Sequence, residues 1–122
     1  AKKISSVTPR LLQSCIFQLK TYFSGKIPSF SLPLNLEGTI FQKAVWKAIA
    51  AIPYGQTRTY GEIAKKIGKP RAIRAVGQAC GANPMLIIVP CHRVVGSSSL
   101  GGYAGGIQNK KWLLKLEGAK LP

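Results

Sequence analysis

Aspartate is absent from the chain, and glutamate occurs only at Glu37, Glu62 and Glu117, against eighteen lysines and arginines. Histidine occurs once, at His92. With carboxylates this scarce, four well-placed metal ligands are hard to assemble, so neither a metal nor any other cofactor is expected. Cysteine is also sparse: Cys15, Cys80 and Cys91 are odd in number and widely spaced, with no Cys-x-x-Cys pair. That pattern argues against a disulfide framework and a zinc site, and free thiols are expected. No apolar run approaches the ~20 residues needed to span a bilayer, and Ala1-Lys2-Lys3-Ile4-Ser5-Ser6 lacks the apolar core of a secretory signal. A cytoplasmic protein is expected, nuclear if the source is a eukaryote.

What remains is strongly basic. The formal net charge is +15 over 122 residues, and such an imbalance favours a polyanion through released counterions. Nucleic acid is the leading partner. An anionic membrane ranks second, because no segment is a strongly basic amphipathic helix suited to a lipid surface. The length and the 46% hydrophobic content suit one ordinary domain, or one domain plus the remnant of another.

Thr8-Pro9 makes a cap and first-turn pair, after which Leu11, Leu12, Cys15, Ile16, Leu19, Tyr22 and Phe23 recur at helical spacing until Gly25. Cys15 belongs to that apolar face. Pro28, Pro33 and Gly38 mark residues 26–38 as an extended linker, which sets a boundary between 1–38 and 39–122. Thr39-Ile40-Phe41-Gln42 fits a capping box, and Ile40, Phe41, Ala44, Val45, Ala48, Ile49 and Ile52 continue one apolar stripe to Pro53-Tyr54-Gly55. Trp46 lies beside that stripe and is read as packing.

A second capping box, Thr59-Tyr60-Gly61-Glu62, opens a short helix to Ile67. After Gly68, Lys69-Pro70 starts another, running to about Gly81. Two short helices and a tight turn have helix-turn-helix spacing, whose second helix enters a nucleic-acid groove. In that second helix Ile73, Val76 and Cys80 form a buried stripe, leaving Arg71, Arg74, Ala75 and Gln78 outward among small residues. A slim backbone can come close to DNA, with Arg74 reaching further than its neighbours. Residues 96–102 read as a flexible loop, and a last helix from about Gln108 carries Trp112, Leu113 and Leu116 as apolar positions, with Trp112 read as core.

The chemistry concentrates in Pro90-Cys91-His92-Arg93-Val94, directly after the apolar run Leu86-Ile87-Ile88-Val89, which reads as a buried strand. A thiol of pKa ~8.5 is only a few per cent thiolate at neutral pH, and an imidazole or cationic neighbour raises that fraction. Both His92 and Arg93 are adjacent. An arbitrary Cys-His pair is more often a buried cysteine followed by a surface histidine, so the surrounding motifs decide.

From Thr39 onward those motifs resemble the O6-alkylguanine-DNA alkyltransferases, the methylated-DNA–cysteine methyltransferases. The resemblance rests on Phe41-Gln42 with Val45-Trp46, Ile52-Pro53-Tyr54-Gly55, Tyr60-Gly61-Glu62-Ile63-Ala64, Arg74-Ala75-Val76-Gly77 and Asn83-Pro84. It continues through Pro90-Cys91-His92-Arg93-Val94, Tyr103-Ala104-Gly105-Gly106 and Leu116-Glu117-Gly118. It implies a mainly α fold with a small β element: a helix-turn-helix, winged-helix-like alkyltransferase domain preceded by one helix and a linker. It further implies direct-reversal DNA repair, in which Cys91 takes the alkyl group from O6-alkylguanine irreversibly and once; O4-alkylthymine is left open as a second substrate. His92 takes the thiol proton through a bridging water, Glu117 supports the imidazole, and Asn83 braces the turn. By the same resemblance Tyr60 donates to the departing guanine, Tyr103 packs against the flipped base, and backbone amides by Ala104 bind O6. Arg74 is the wedge of a helix lying in the minor groove, while Gly61, Lys69 and Ser97 lie near DNA. A monomer is implied, with cooperative loading on DNA left open.

Three departures accompany the resemblance. Relatives usually carry an α/β domain ahead of the helix at 8–24, so residues 1–38 are expected to be the last helix and linker of such a domain. Ala104 lacks a hydroxyl that some relatives place there, and Gln78 is bulkier than usual. Two rival readings are a non-enzymatic helix-turn-helix binder and a basic RNA-binding or ribosome-associated protein; neither needs a thiol.

Overall fold

A computed structural model describes residues 9–25 and 36–122, which fall into two units, one within 1–35 and one spanning Leu36–Pro122. In the first unit, helix α1 runs Pro9–Phe23 and ends at Gly25, whose φ of 79° lets the chain leave the helix. Ile16, Phe17 and Phe23 are exposed on it. The linker as far as residue 35, and the side chains of Leu11, Leu12 and Cys15, lie outside the described residues.

The second unit is mainly helical. Helix α2, Ile40–Ala50, starts on the capping box: the Gln42 amide donates to the Thr39 hydroxyl and the Thr39 amide to the Gln42 side chain. Val45, Trp46, Ala48 and Ile49 are buried, whereas Ile40, expected in the stripe, is 91% exposed at the first helical position. Strand β1, Arg58–Thr59, leads into helix α3, Tyr60–Lys66, through the second capping box. Helix α4, Ile73–Gly81, packs with α2 and α3 around Val45, Ile49, Ile63, Val76 and Ala79. The Trp46 indole donates to the Ala79 carbonyl at 2.9 Å, so its buried N–H is satisfied while it pins the last turn of α4.

After α4 the chain turns, forms a 3-10 turn over Cys91–Arg93, and continues as strand β2, Val94–Val95, parallel to β1 in the register Arg58 with Val94 and Thr59 with Val95. Helix α5, Ile107–Leu116, closes the unit and ends at Glu117-Gly118.

Four further expectations need correction. Leu86–Val89 is a turn rather than a strand: Ile87 has a φ of 74°, and only an isolated bridge joins Leu86 to Val89. Pro84 and Pro90 supply no N–H to a ladder, and Asn83 takes over the hydrogen bonding, accepting from the Met85 amide and donating to the Val89 carbonyl. The small sheet is therefore built after the cysteine, not before it. Helix α4 begins at Ile73 rather than at Lys69-Pro70, because the Lys69 amide is bonded to the Ala64 carbonyl and the Ala72 amide to that of Lys69. That late start leaves Ile73 49% exposed instead of in the buried stripe. In α5, Trp112 is 53% exposed, and the inward position falls to Lys110, with Leu113 and Leu114.

Candidate active site

Cys91 is the first residue of the 3-10 turn and is buried. Its amide donates to the Val89 carbonyl at 2.8 Å, and its sulfur accepts from Asn83 Nδ2 at 3.1 Å. The same Asn83 nitrogen donates to the Val89 carbonyl at 2.7 Å, so one amide fixes both the turn and the thiol. Cys80, on the last turn of α4, lines a cavity together with Cys91. The influence of the Cys80 thiol, then burial, pushes the Cys91 thiol up, while the Asn83 amide and the Lys110 ammonium pull the other way. The Cys80 thiol is drawn down, chiefly by the influence of Cys91. Cys91 therefore rests as a thiol and needs a base when it reacts.

The base stands beside it in sequence. His92 is fully buried, and its Nε2 lies 2.7 Å from Glu117 Oε2. Arg93 grips the same carboxylate, donating from Nε to Oε1 at 2.8 Å and from the guanidinium to Oε2 at 2.9 Å, and it also donates to the Ile52 carbonyl. The Gly55 amide donates to Glu117 as well, at 3.4 Å. A carboxylate surrounded by donors can only accept, so His92 carries its proton on Nε2 and leaves Nδ1 as a lone pair. That Nδ1 is buried and has no hydrogen-bond partner among the described residues. Burial lowers the His92 pKa below 6.5 against the opposing pull of Glu117, so the ring is neutral at pH 7.

Cys91 opens on a cavity of about 810 Å³, lined among others by Tyr60, Arg74, Gly77, Cys80 and Tyr103. Ala104 is on its rim too. Tyr60 packs against the core, and a Cβ at Gly101, where φ is 71°, would lie 2.6 Å from its hydroxyl, so only glycine fits there. Burial raises the phenol pKa of Tyr60, and raises that of Tyr103 to about 12, so both stay protonated at neutral pH. The Tyr103 and His92 rings meet edge to face, with centroids 6.4 Å apart. Arg74 is exposed at the cavity mouth on α4, while Lys69 and Ser97 are exposed in turns and Gly61 is half-buried in the first turn of α3. The structure thus brings Cys91, Tyr60, Tyr103, Ala104 and Arg74 around one cavity, with Asn83 bonded to the Cys91 sulfur and the adjacent His92 joined to Glu117.

Three contributors are not readable in the sequence. Arg93 looks there like a cation for the thiol, but all its described bonds go to Glu117 and Ile52. Cys80 looks like packing. Lys110 carries no signal beyond its charge, yet it is fully buried, donates to the Val94 and Gly102 carbonyls at 2.6 and 2.9 Å, and lies 5.8 Å from the Tyr60 ring centre. Burial depresses its pKa to about 8. Its only sequence clue is position: three residues before Leu113 on the buried side of α5.

Fold and site together define a helix-turn-helix domain with a buried cysteine held beside a histidine–glutamate pair. Residues 40–119 match the family model described as 6-O-methylguanine DNA methyltransferase, DNA binding domain. The methylated-DNA–protein-cysteine methyltransferase of Methanosarcina barkeri is 64% identical over 101 residues, covering 82% of this chain and 64% of that protein. The Mycobacterium tuberculosis protein of the same name is 54% identical over 115 residues, covering 93% of this chain and 70% of its own length. The crystal structure of Mycobacterium tuberculosis OGT in complex with DNA aligns with a TM-score of 0.83 at 57% identity, over 85% of this chain and 64% of that one. S. pombe Atl1, in complex with damaged DNA containing O6-carboxymethylguanine, aligns with a TM-score of 0.60 at 38% identity, over 70% of this chain and 82% of that one. The chain belongs to the 6-O-methylguanine DNA methyltransferase family, and it spans 64% and 66% of the length of two Methanosarcina relatives.

Proposed function

We propose that the protein repairs alkylated duplex DNA by direct reversal, with Cys91 accepting the alkyl group from O6-alkylguanine. The observation that carries this reading is the buried line from Cys91 through His92 to Glu117, opening on the same cavity as Arg74. Sulfur attacks the alkyl carbon, the S–C bond forms, and the C–O bond breaks with its electron pair left on the guanine. A thioether has no easy hydrolytic exit, so each molecule acts once.

The thiol proton passes through a bridging water to His92 Nδ1, and Glu117 stabilises the imidazolium that results. Arg93 keeps that carboxylate in place without touching the sulfur. The Tyr60 phenol donates to the guanine as negative charge develops on it, and Asn83 holds the sulfur in line. The target base must leave the stack at a cost of a few kcal/mol, and Arg74 fills the gap from the minor-groove side, where the slim face around Gly77 allows close approach. Tyr103 packs on the everted base, the backbone at Ala104 receives O6, and Gly61, Lys69 and Ser97 sit against the phosphates. O4-alkylthymine presents the same alkyl–oxygen bond on a smaller ring and is a second substrate. The protein works as a monomer.

The test is intact mass after incubation with duplex DNA carrying O6-methylguanine. A gain of one methyl, mapped to Cys91 and lost in Cys91→Ala while DNA binding persists, is expected. An unchanged mass would leave a DNA-binding protein without transfer activity.

A further inference from the structure

The segment Ile52-Pro53-Tyr54-Gly55 takes no part in the transfer steps, yet it touches both groups that hold His92. The Ile52 carbonyl accepts from Arg93 at 2.8 Å, and the Gly55 amide donates to Glu117 Oε1 at 3.4 Å. Between them, the Arg93 guanidinium lies 5.6 Å from the centre of the Tyr54 ring, and the Tyr54 hydroxyl donates to the Leu116 carbonyl at the end of α5, at 3.3 Å. The turn that presents the ring is closed by the Gln56 amide on the Pro53 carbonyl, with Gly55 at a φ of 82° in the third position, where a type II turn requires it. A Cβ on Gly55 would stand 3.1 Å from the Glu117 carbonyl, so the turn comes this close to the end of α5 only with glycine there.

Hydrogen bonds to Glu117 and Ile52 use the edges of the guanidinium and leave its flat face to an aromatic ring. Arg93 is only 4% exposed, and a cation–π contact gains strength when the cation is stripped of water. We infer that Tyr54 is a positioning residue for the histidine: its ring covers Arg93 and its hydroxyl ties the turn to α5, so that Arg93 holds Glu117 in line with His92. This rests on the proposed role of His92 as base only for its effect on transfer. Without the ring, Arg93 loses part of its hold, its positive charge draws back from His92, and Glu117 is left less compensated. Both changes favour the protonated imidazole. The charged groups acting on that imidazole are Glu117, Arg93 and Lys110, with Tyr103 meeting its edge, and replacing Tyr54 leaves Lys110 and Tyr103 as they are.

His92 is the only histidine of the chain, so its ring signals in NMR read the effect directly. In Tyr54→Leu the folded ring pKa should rise toward 6.5, while Tyr54→Phe and Tyr54→Trp, which keep an aromatic face, should hold the wild-type value. Trifluorophenylalanine in place of Tyr54 keeps the ring and weakens its face, and should move His92 as leucine does; this variant decides the matter if Tyr54→Leu does not fold. Intact-mass kinetics should show transfer by Tyr54→Leu slowed by about threefold, equally on duplex DNA and on free alkylguanine. An unchanged or lower ring pKa in the leucine and trifluorophenylalanine variants, or Tyr54→Phe moving as far as Tyr54→Leu, would overturn the inference. So would a loss confined to duplex, which would make the ring a DNA contact instead. If the ring pKa moves as stated but the wild-type protein transfers no alkyl group, the repair function fails and the positioning role stands; wild-type transfer with an unmoved ring pKa overturns the positioning role and leaves repair standing.

Discussion

Glu117 concentrates more dependence than any other residue of the site, because it receives His92, both arms of Arg93 and the Gly55 amide. Removing one partner of a buried ion pair strands the other charge, at a cost of about 3–5 kcal/mol. Glu117→Gln is therefore expected to lower the unfolding free energy read from urea titration by about 3–5 kcal/mol and to slow transfer; a loss under about 1 kcal/mol would mean Arg93 finds its compensation elsewhere. His92 gives a second prediction with a clear sign. Its folded pKa lies below 6.5, so as pH falls the unfolded chain takes up the proton first. The contribution to stability is complete above pH 6.5 and is lost as pH falls through the folded value. Transfer should be level from neutral pH down to 6.5 and decline only below it, in step with the ring signals in NMR. Since no other histidine exists to confuse the titration, a ring pKa above 6.5 would exclude the buried neutral base.

Among the elements, α4 carries Arg74, the proposed wedge, together with Cys80, and its placement depends on α2 through Trp46. Arg74→Ala is expected to slow repair of duplex by about tenfold or more, since extrusion costs a few kcal/mol, while reaction with free alkylguanine changes little. Equal losses on the two substrates would remove the wedge role. The helices are legible in sequence wherever side chains themselves set the boundary: both capping boxes begin where Thr39 and Thr59 place them. The start of α4 is not, because backbone bonds from Lys69 and Ala72, invisible in residue type, keep the turn open to Ile73. Nor is the turn before Cys91, where four apolar residues look like a strand until Asn83 is seen bonding to both of its ends. The Cys91–His92 pair stands out as chemistry from sequence, whereas the 25-residue reach to Glu117 enters only through family resemblance. Lys110 escapes notice because a buried lysine looks like any other in a chain so rich in them.

At the scale of the whole molecule, the formal charge of +15 predicts that the proposed association with DNA is an ionic event. Raising salt from 50 to 200 mM should weaken duplex binding by about a thousandfold or more if six or more phosphates are neutralised, with the slope read from a salt titration. Reaction with free alkylguanine should hardly respond, because the buried site is screened far less than the surface. A shallow salt slope would point to binding dominated by apolar contacts. The distance along the chain between the sulfur and the carboxylate also governs when reactivity begins. During synthesis the ribosome emits Cys91 and His92 well before Glu117, and until α5 docks, the imidazole lacks the anion that fixes its tautomer. A polypeptide that has emerged only as far as His92 thus carries a quiescent thiol, and the proposed nucleophilic competence waits on the docking of Glu117 rather than on the synthesis of the cysteine.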